Sequence, residues 1–288
     1  VINKHNVTIK GLNPGMRSNI DVNGINDLLG PGGGSKLVAR NAEAAIKVET
    51  GMKGVKIMNL MVSGGTEAKN IGIHFAGATD NGMLSNIIGI NLHTGVKIEQ
   101  AKNMQIVNCW VCELPNSIEL IGGENIVVKN CQLGAQPTGI TCKVQEVNKL
   151  SFINNQVYPD GRENLVLDAC NNCVIEGNNF KSYYNGILVL NGNDNTVNKN
   201  IFWLTGAVQN QLLDHGDDFG IINVKGNNNM VASNSLSCEW AYAGAVTVNA
   251  VQGTGNVFKN CFVDNLESYR VFLVNAQTEV SNCVSSDK

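Results

Sequence analysis

Short runs of alternating apolar and polar residues recur along the whole chain. They read GIHFAG (72 to 77), GVKIEQ (95 to 100), SIELIG (117 to 122), GITCKV (139 to 144) and NLVLDA (164 to 169). They continue as GILVLN (186 to 191), GIINVKG (220 to 226), AVTVNA (245 to 250) and VFLVNA (271 to 276). Alternation with period two predicts strands with one buried face, and no helical period runs long enough to compete. About ten residues before each run lies a second frame built on an asparagine: Asn59, Asn86, Asn108, Asn130, Asn154, Asn178, Asn200, Asn234, Asn260 and Asn282. From Asn86 onward the steps are 22, 22, 24, 24, 22, 34, 26 and 22 residues.

A fixed period of this size marks a stacked repeat architecture. Two or three short strands per repeat, with Asn and Gly at the corners, describe one coil of a parallel β-helix. No single coil buries its own apolar face, whereas stacked coils share one core and pair their backbones. The expected fold is therefore all-β: a single right-handed parallel β-helix over residues 1–288, about ten coils of roughly 22 residues. At about 4.8 Å per stacked strand the rod would be on the order of 50 Å long. Departures from the base period predict insertions near 13–35, 63–70 and 205–219, and loops on a rigid scaffold are where function concentrates.

Composition narrows the partners. Hydrophobic residues make up 43% and charged residues 16%, with no apolar run near the length of a membrane helix. The net charge of −3 lacks the clustered cations that nucleic acid requires. Neither nucleic acid nor a membrane is expected, and a neutral polar ligand suits the balance. The 43 asparagines fit corners, where Asn tolerates left-handed backbone, and stacked ladders. The nine cysteines cannot all pair internally. Cys109 and Cys131, like Cys261 and Cys283, are one period apart and read as stacked core thiols. The Cys109/Cys112 and Cys170/Cys173 pairs sit about three coils apart, too far for one zinc ion. No metal or cofactor is expected. The chain opens at Val1 without a signal-like segment, so an upstream part is expected to be missing and localisation is unknown.

Several residues are candidates for chemistry. Glu113 and Glu119 flank the corner after the strand holding Trp110. Carboxylates near an aromatic are the equipment of glycosidic bond cleavage, one acid and one base or nucleophile. The bland alternative is a solvated turn residue and an outward strand residue. Asp214, His215, Asp217 and Asp218 crowd the longest insertion and could bind sugar hydroxyls, bind a cation, or serve as acid and base; a polar loop is the alternative. His74 lies on a strand, where a lone histidine is commonly structural. LGPGGGSK (29 to 36) lacks the spacing of a phosphate loop.

Beyond these, NVTIKGL (6 to 12), DLLGPGGGSKLV (27 to 38), SIELIGG (117 to 123) and NNQVYP (154 to 159) resemble the inulin fructotransferase family. So do YYNGILVLNGNDNTVNKNIF (183 to 202) and LLDHGDDFGIINVKGNNNMVASNSLS (212 to 237). The resemblance runs over most of the chain in order. It implies a parallel β-helix associated as a homotrimer with active sites between subunits, acting on β-2,1-linked fructan without a cofactor. A fructose hydroxyl attacks the adjacent anomeric carbon and releases a cyclic difructose anhydride; some members hydrolyse that anhydride instead. The resemblance also implies a carboxylate pair eleven residues apart. Its second member falls on Glu113 and its first on Lys102, which is not an acid.

Three readings of Lys102 stay open. The register slips in this Asn-rich stretch; or another acid, Asp217 or Asp218 of a neighbouring subunit, has taken the role; or the protein binds fructan-like sugar without turning it over, or by a changed reaction. The rivals to a fructan-active enzyme are a non-catalytic sugar-binding or structural β-helix and a polysaccharide lyase. Against a lyase stands the lack of a basic cluster.

Overall fold

The computed structural model describes residues 1–12, 35–39, 42–64, 70–184, 186–205, 220–238, 246–265 and 270–285. Among them every regular element is a strand, and the strands pair in parallel with their counterparts one coil away. No helix of the described residues is long and apolar enough to cross a membrane. The chain is a β-solenoid of three sheets, here called A, B and C in the order in which each coil visits them.

Sheet A is a ladder of eleven rungs, aligned on Ile9, Ile57, Leu84, Ile106, Val128, Phe152, Ile175, Val197, Val231, Phe258 and Val280. Sheet B aligns Val62, Gly89, Val111, Leu133, Val157, Phe180, Phe202, Leu236 and Val263. Sheet C aligns Ile46, Ile73, Val96, Ile118, Cys142, Leu165, Leu188, Ile222 and Val248. Nearly all of these side chains point inward and are buried. The apolar member of each alternating pair thus lines one continuous core, as the period-two pattern predicts. Identical side chains stack where they recur: the Phe180 and Phe202 rings lie 5.0 Å apart and within 4° of parallel.

The corner between sheets A and B explains the asparagine repeat and corrects its register. One residue per coil turns the corner in the left-handed region, with φ between 52° and 67°: Asn59, Asn86, Asn108, Asn130, Asn154, Gly177, Lys199, Ser233, Asn260 and Asn282. The next residue points into the corner. There Asn155, Asn178, Asn200 and Asn234 are buried and linked by side-chain amides, each donating to the next at 2.9–3.1 Å. The frame that aligns Asn154 with Asn178 and Asn200 therefore joins two neighbouring columns. The outer column needs a residue that tolerates positive φ. The inner one needs a side chain that can donate upward and accept from below.

Cysteines occupy the inner column at both ends of this ladder. Asn155 Oδ1 accepts from the Cys131 backbone N–H, and Asn234 Nδ2 reaches the Cys261 sulfur. Among the described residues eight cysteines are free thiols, all buried except half-buried Cys283; Cys109, Cys131 and Cys261 lie in the core, as their reading as stacked thiols expects. A second ladder of Asn195, Asn229 and Asn256 stands at the corner between sheets C and A.

Candidate functional site

The three corners differ in how much sequence they accommodate. From the second coil onward the step from sheet A to sheet B is five residues, as in Ile57 to Val62, Ile106 to Val111, Val197 to Phe202 and Phe258 to Val263. From sheet B to sheet C it runs from seven (Val111 to Ile118) to twenty (Phe202 to Ile222). After the first coil, the insertions expected at 63–70 and 205–219 both join sheet B to sheet C. Asp214, His215, Asp217 and Asp218 belong to that longest connection and lie outside the described residues. The insertion near 13–35 joins sheet A to sheet B in the first coil, and it too lies almost wholly outside them.

Glu113 stands at this variable corner, exposed, with φ of 64°. Asn91 holds the same left-handed conformation 22 residues earlier. A glutamate is a costlier occupant of that conformation than asparagine, by about 1 kcal/mol or more, and such strain is commonly kept where a side chain has a task. The Gln136 amide donates to the Glu113 carbonyl at 3.2 Å, which fixes the turn while its carboxylate has no bond within the described residues. Two coils along the same corner are Arg162 and Glu163, whose side chains approach to 4.0 Å. Burial pushes the Glu163 carboxyl above the usual carboxylate range, against the pull of Arg162.

Lys102 occupies a different corner, between sheets C and A, exposed and stacked between Asp80 and Glu124. Sheet C separates the two corners: the five steps from Asn116 to Ile121, at about 3.3 Å each, span roughly 16 Å. The structure does not bring Lys102 and Glu113 together.

Glu119 and His74 share the outer face of sheet C, in one column that reads Lys47, His74, Lys97, Glu119, Lys143. His74 is buried, with Nε2 2.9 Å from Glu99 Oε2. Lys97 holds the other Glu99 oxygen at 3.0 Å. On the opposite side His74 Nδ1 is 3.9 Å from Glu43 Oε1 and forms no hydrogen bond. Trp110 lies on the outer face of sheet B, buried in a small apolar cluster with Met61, Ile88, Ile90 and Cys112, and Tyr158 packs against it.

Sequence reading missed Glu99, Glu163 and Arg162. The signal for Glu99 was present, since GIHFAG over GVKIEQ puts His74 above Lys97 and Glu99 two residues further on the same face. Glu163 gave none, because its corner has no fixed length.

Residues 92–279, which are 188 of the 288, match the protein family described as periplasmic copper-binding protein (NosD). The chain belongs to the NosD family. No curated protein matches this NosD-family chain. Among solved structures it is similar to DFA-IIIase from Arthrobacter chlorophenolicus A6 without its lid, with a TM-score of 0.79 and 20% identity over 99% of this chain and 84% of that one. The same enzyme in complex with GF2 gives 0.72 and 22% over 96% and 78%. In complex with DFA-III it gives 0.74 and 20% over 96% and 72%. At this identity the likeness is one of fold, and it extends the β-helix along almost the entire NosD-family chain.

Proposed function

We propose that this chain is a carbohydrate-active enzyme of the inulin fructotransferase type. It cleaves β-2,1-linked fructan by intramolecular fructosyl transfer to a cyclic difructose anhydride, or hydrolyses that anhydride. The observation that carries the reading is Glu113: a carboxylate in left-handed backbone, at the corner where the coil length varies, in a fold that matches an enzyme solved with GF2 and DFA-III over 96% of this chain. Glu113 serves as acid or base at the anomeric centre, a role worth about 10²–10⁴ in rate. The connection carrying Asp214, His215, Asp217 and Asp218 shapes the sugar pocket. Association as a homotrimer would let a neighbouring subunit supply the second acid.

A second reading, a β-helix that binds fructan-like sugar without turning it over, is favoured by the separation of Lys102 from Glu113. Nothing among the described residues fits copper, which the family description names. Among the described residues no group of three or more His, Cys, Asp or Glu side chains could hold a metal ion. Six of the described thiols face the solenoid interior, and Cys112 is buried in the apolar cluster around Trp110.

The test is incubation with inulin and, separately, with difructose anhydride, with products resolved by chromatography and a Glu113→Gln variant alongside. Turnover by the parent and a loss of about 100-fold or more in the variant are expected. Binding of inulin fragments without turnover would establish the second reading. No binding at all would end both.

A further inference from the structure

Sheet B differs from the other two on its outer face. Its inward column runs Val111, Leu133, Val157, Phe180, Phe202, so the residues on either side point outward. One outward column continues from Trp110 through Gln132, Gln156 and Asn179 to Ile201. The other sets Tyr158, Lys181 and Trp203 on successive rungs. Two of the three tryptophans of the chain are in these columns. The outward columns of sheets A and C carry no Trp or Tyr among the described residues.

We propose that the outer face of sheet B, from Gln132 to Trp203, is a binding platform for a neutral oligosaccharide chain lying along the rod. It rests on the reading above for which sugar is bound, and on its own residues for the place. Sugar rings present apolar C–H faces and a rim of hydroxyls. Such a ligand is met by aromatic walls with a few placed polar groups. Here the backbone positions of Tyr158 and Trp203 stand two rungs apart, roughly 10 Å, and the amides of Gln132, Gln156 and Asn179 run beside them.

The platform is held in place. Lys181 Nζ lies 4.8 Å from the centre of the Trp203 ring, a cation–π contact that orients the indole. Tyr158 Oη donates to Gln132 Oε1 at 2.9 Å. Between Cys112 and Tyr158 the column is vacated by Gly134, where a Cβ would stand 3.0 Å from Tyr158 Cβ, so the tyrosine has room to lie down. One acceptor is unsatisfied: Asn179 Oδ1 is shielded from solvent and has no hydrogen-bond partner. A buried acceptor without a donor is uncommon and asks for an explanation. The terminal torsion of an asparagine is soft, so this amide can turn to accept from an arriving hydroxyl. The platform borders the corner that holds Glu113, and a chain bound here leads to it.

Calorimetry with a five-sugar inulin fragment, cellopentaose and pentagalacturonate tests this, in a Glu113→Gln background that spares the ligand. Trp203→Ala is expected to weaken binding of the neutral chain by roughly five- to tenfold, the worth of one aromatic contact. Asn179→Ala is expected to weaken it less. Lys129→Ala, on the outer face of sheet A, controls for surface change, and melting curves verify folding. Unchanged affinity in Trp203→Ala overturns the platform, as does binding of pentagalacturonate alone or of none of the three. If cellopentaose binds through Trp203 and the inulin fragment does not, the platform stands and the fructan reading falls. If the parent turns over inulin and Trp203→Ala binds it equally well, the fructan reading stands and the platform falls.

Discussion

The corner between sheets A and B and the corner between sheets B and C are built on the same coil by opposite rules. At the first, from the second coil onward, five residues separate the sheets and a left-handed residue turns the chain, and from Cys109 onward an amide or thiol fills the angle. At the second, the connection varies from seven residues to twenty, and it holds Glu113. The hydrogen-bonded column explains the difference. An amide that bonds to its copies above and below fixes the height and direction of the chain in each coil, so an insertion there would break the column. A corner without such a column accepts loops of any length. The solenoid thus keeps its register on one edge and varies on another.

The largest test of this division is a side chain added where coils touch backbone to backbone. At the corner between sheets C and A, a Cβ on Gly226 would sit 1.6 Å from the carbonyl oxygen of Gly192. Gly226→Ala should lower stability by on the order of 4 kcal/mol or more, because the clash is with backbone that cannot rotate away. Denaturant unfolding measures it. A loss below about 1 kcal/mol would mean that the coils slide freely, contrary to a fixed register.

Next comes the ladder itself. Asn178 donates to Phe152 O at 2.8 Å and to Asn200 Oδ1 at 2.9 Å, and accepts from the backbone and side chain of Asn155 at 2.8 and 3.1 Å. Asn178→Ala removes four hydrogen bonds and strands buried partners, at a cost of roughly 3–5 kcal/mol. Its exposed counterpart in the sequence repeat, Asn154, has no buried bond network to lose, and Asn154→Gly should be nearly neutral. Equal losses in the two variants would contradict the division into an outer and an inner column.

The variable corner should respond the other way. Glu113→Asn puts the residue of Asn91 in the same left-handed turn. It is expected to leave stability unchanged or to raise it by up to about 1 kcal/mol. Fructan turnover should fall about 100-fold. A stabilised, inactive variant is the signature of strain kept for function. A variant that keeps its activity would remove Glu113 from the chemistry.

How far the sequence discloses these features follows from whether they lie along the chain or across it. Alternation within six residues is local, and it located the strands of sheet C. The period counts residues, and its departures say which coils are longer than their neighbours. The two asparagine columns differ by a single place, which a comparison of similar-looking segments does not resolve. Only the φ values separate Asn154 from Asn155. The pairing of Lys102 with Glu113 came from the family resemblance, as two positions eleven residues apart, but those residues run through two strands and a corner. The column of Tyr158, Lys181 and Trp203 crosses three coils at steps of 23 and 22. It becomes visible only once the register of sheet B is known.

The smallest expected effect concerns sheet C, whose outer face carries charges where sheet B carries aromatics. Burial works to raise the Glu99 carboxyl, but hydrogen bonds from His74 and Lys97 outweigh it and hold it below the ordinary value of 4.5. A carboxyl lowered by folding contributes stability that is complete above its unfolded value and is lost as pH falls through the folded one. Facing the same imidazole is Glu43, itself 3.5 Å from Lys47, so the cluster stays paired when Glu99 alone is altered. Glu99→Gln keeps an acceptor for His74 and removes the charge. Near neutral pH it should cost about 1 kcal/mol or less, since the side chain is 31% exposed and screened by water. Melting curves from pH 7 down to pH 3 should show parent and variant converging once the pH passes below 4.5. Curves that run parallel across that range would show that Glu99 contributes no pH-dependent stability, and that the charged column on sheet C is a solvated face.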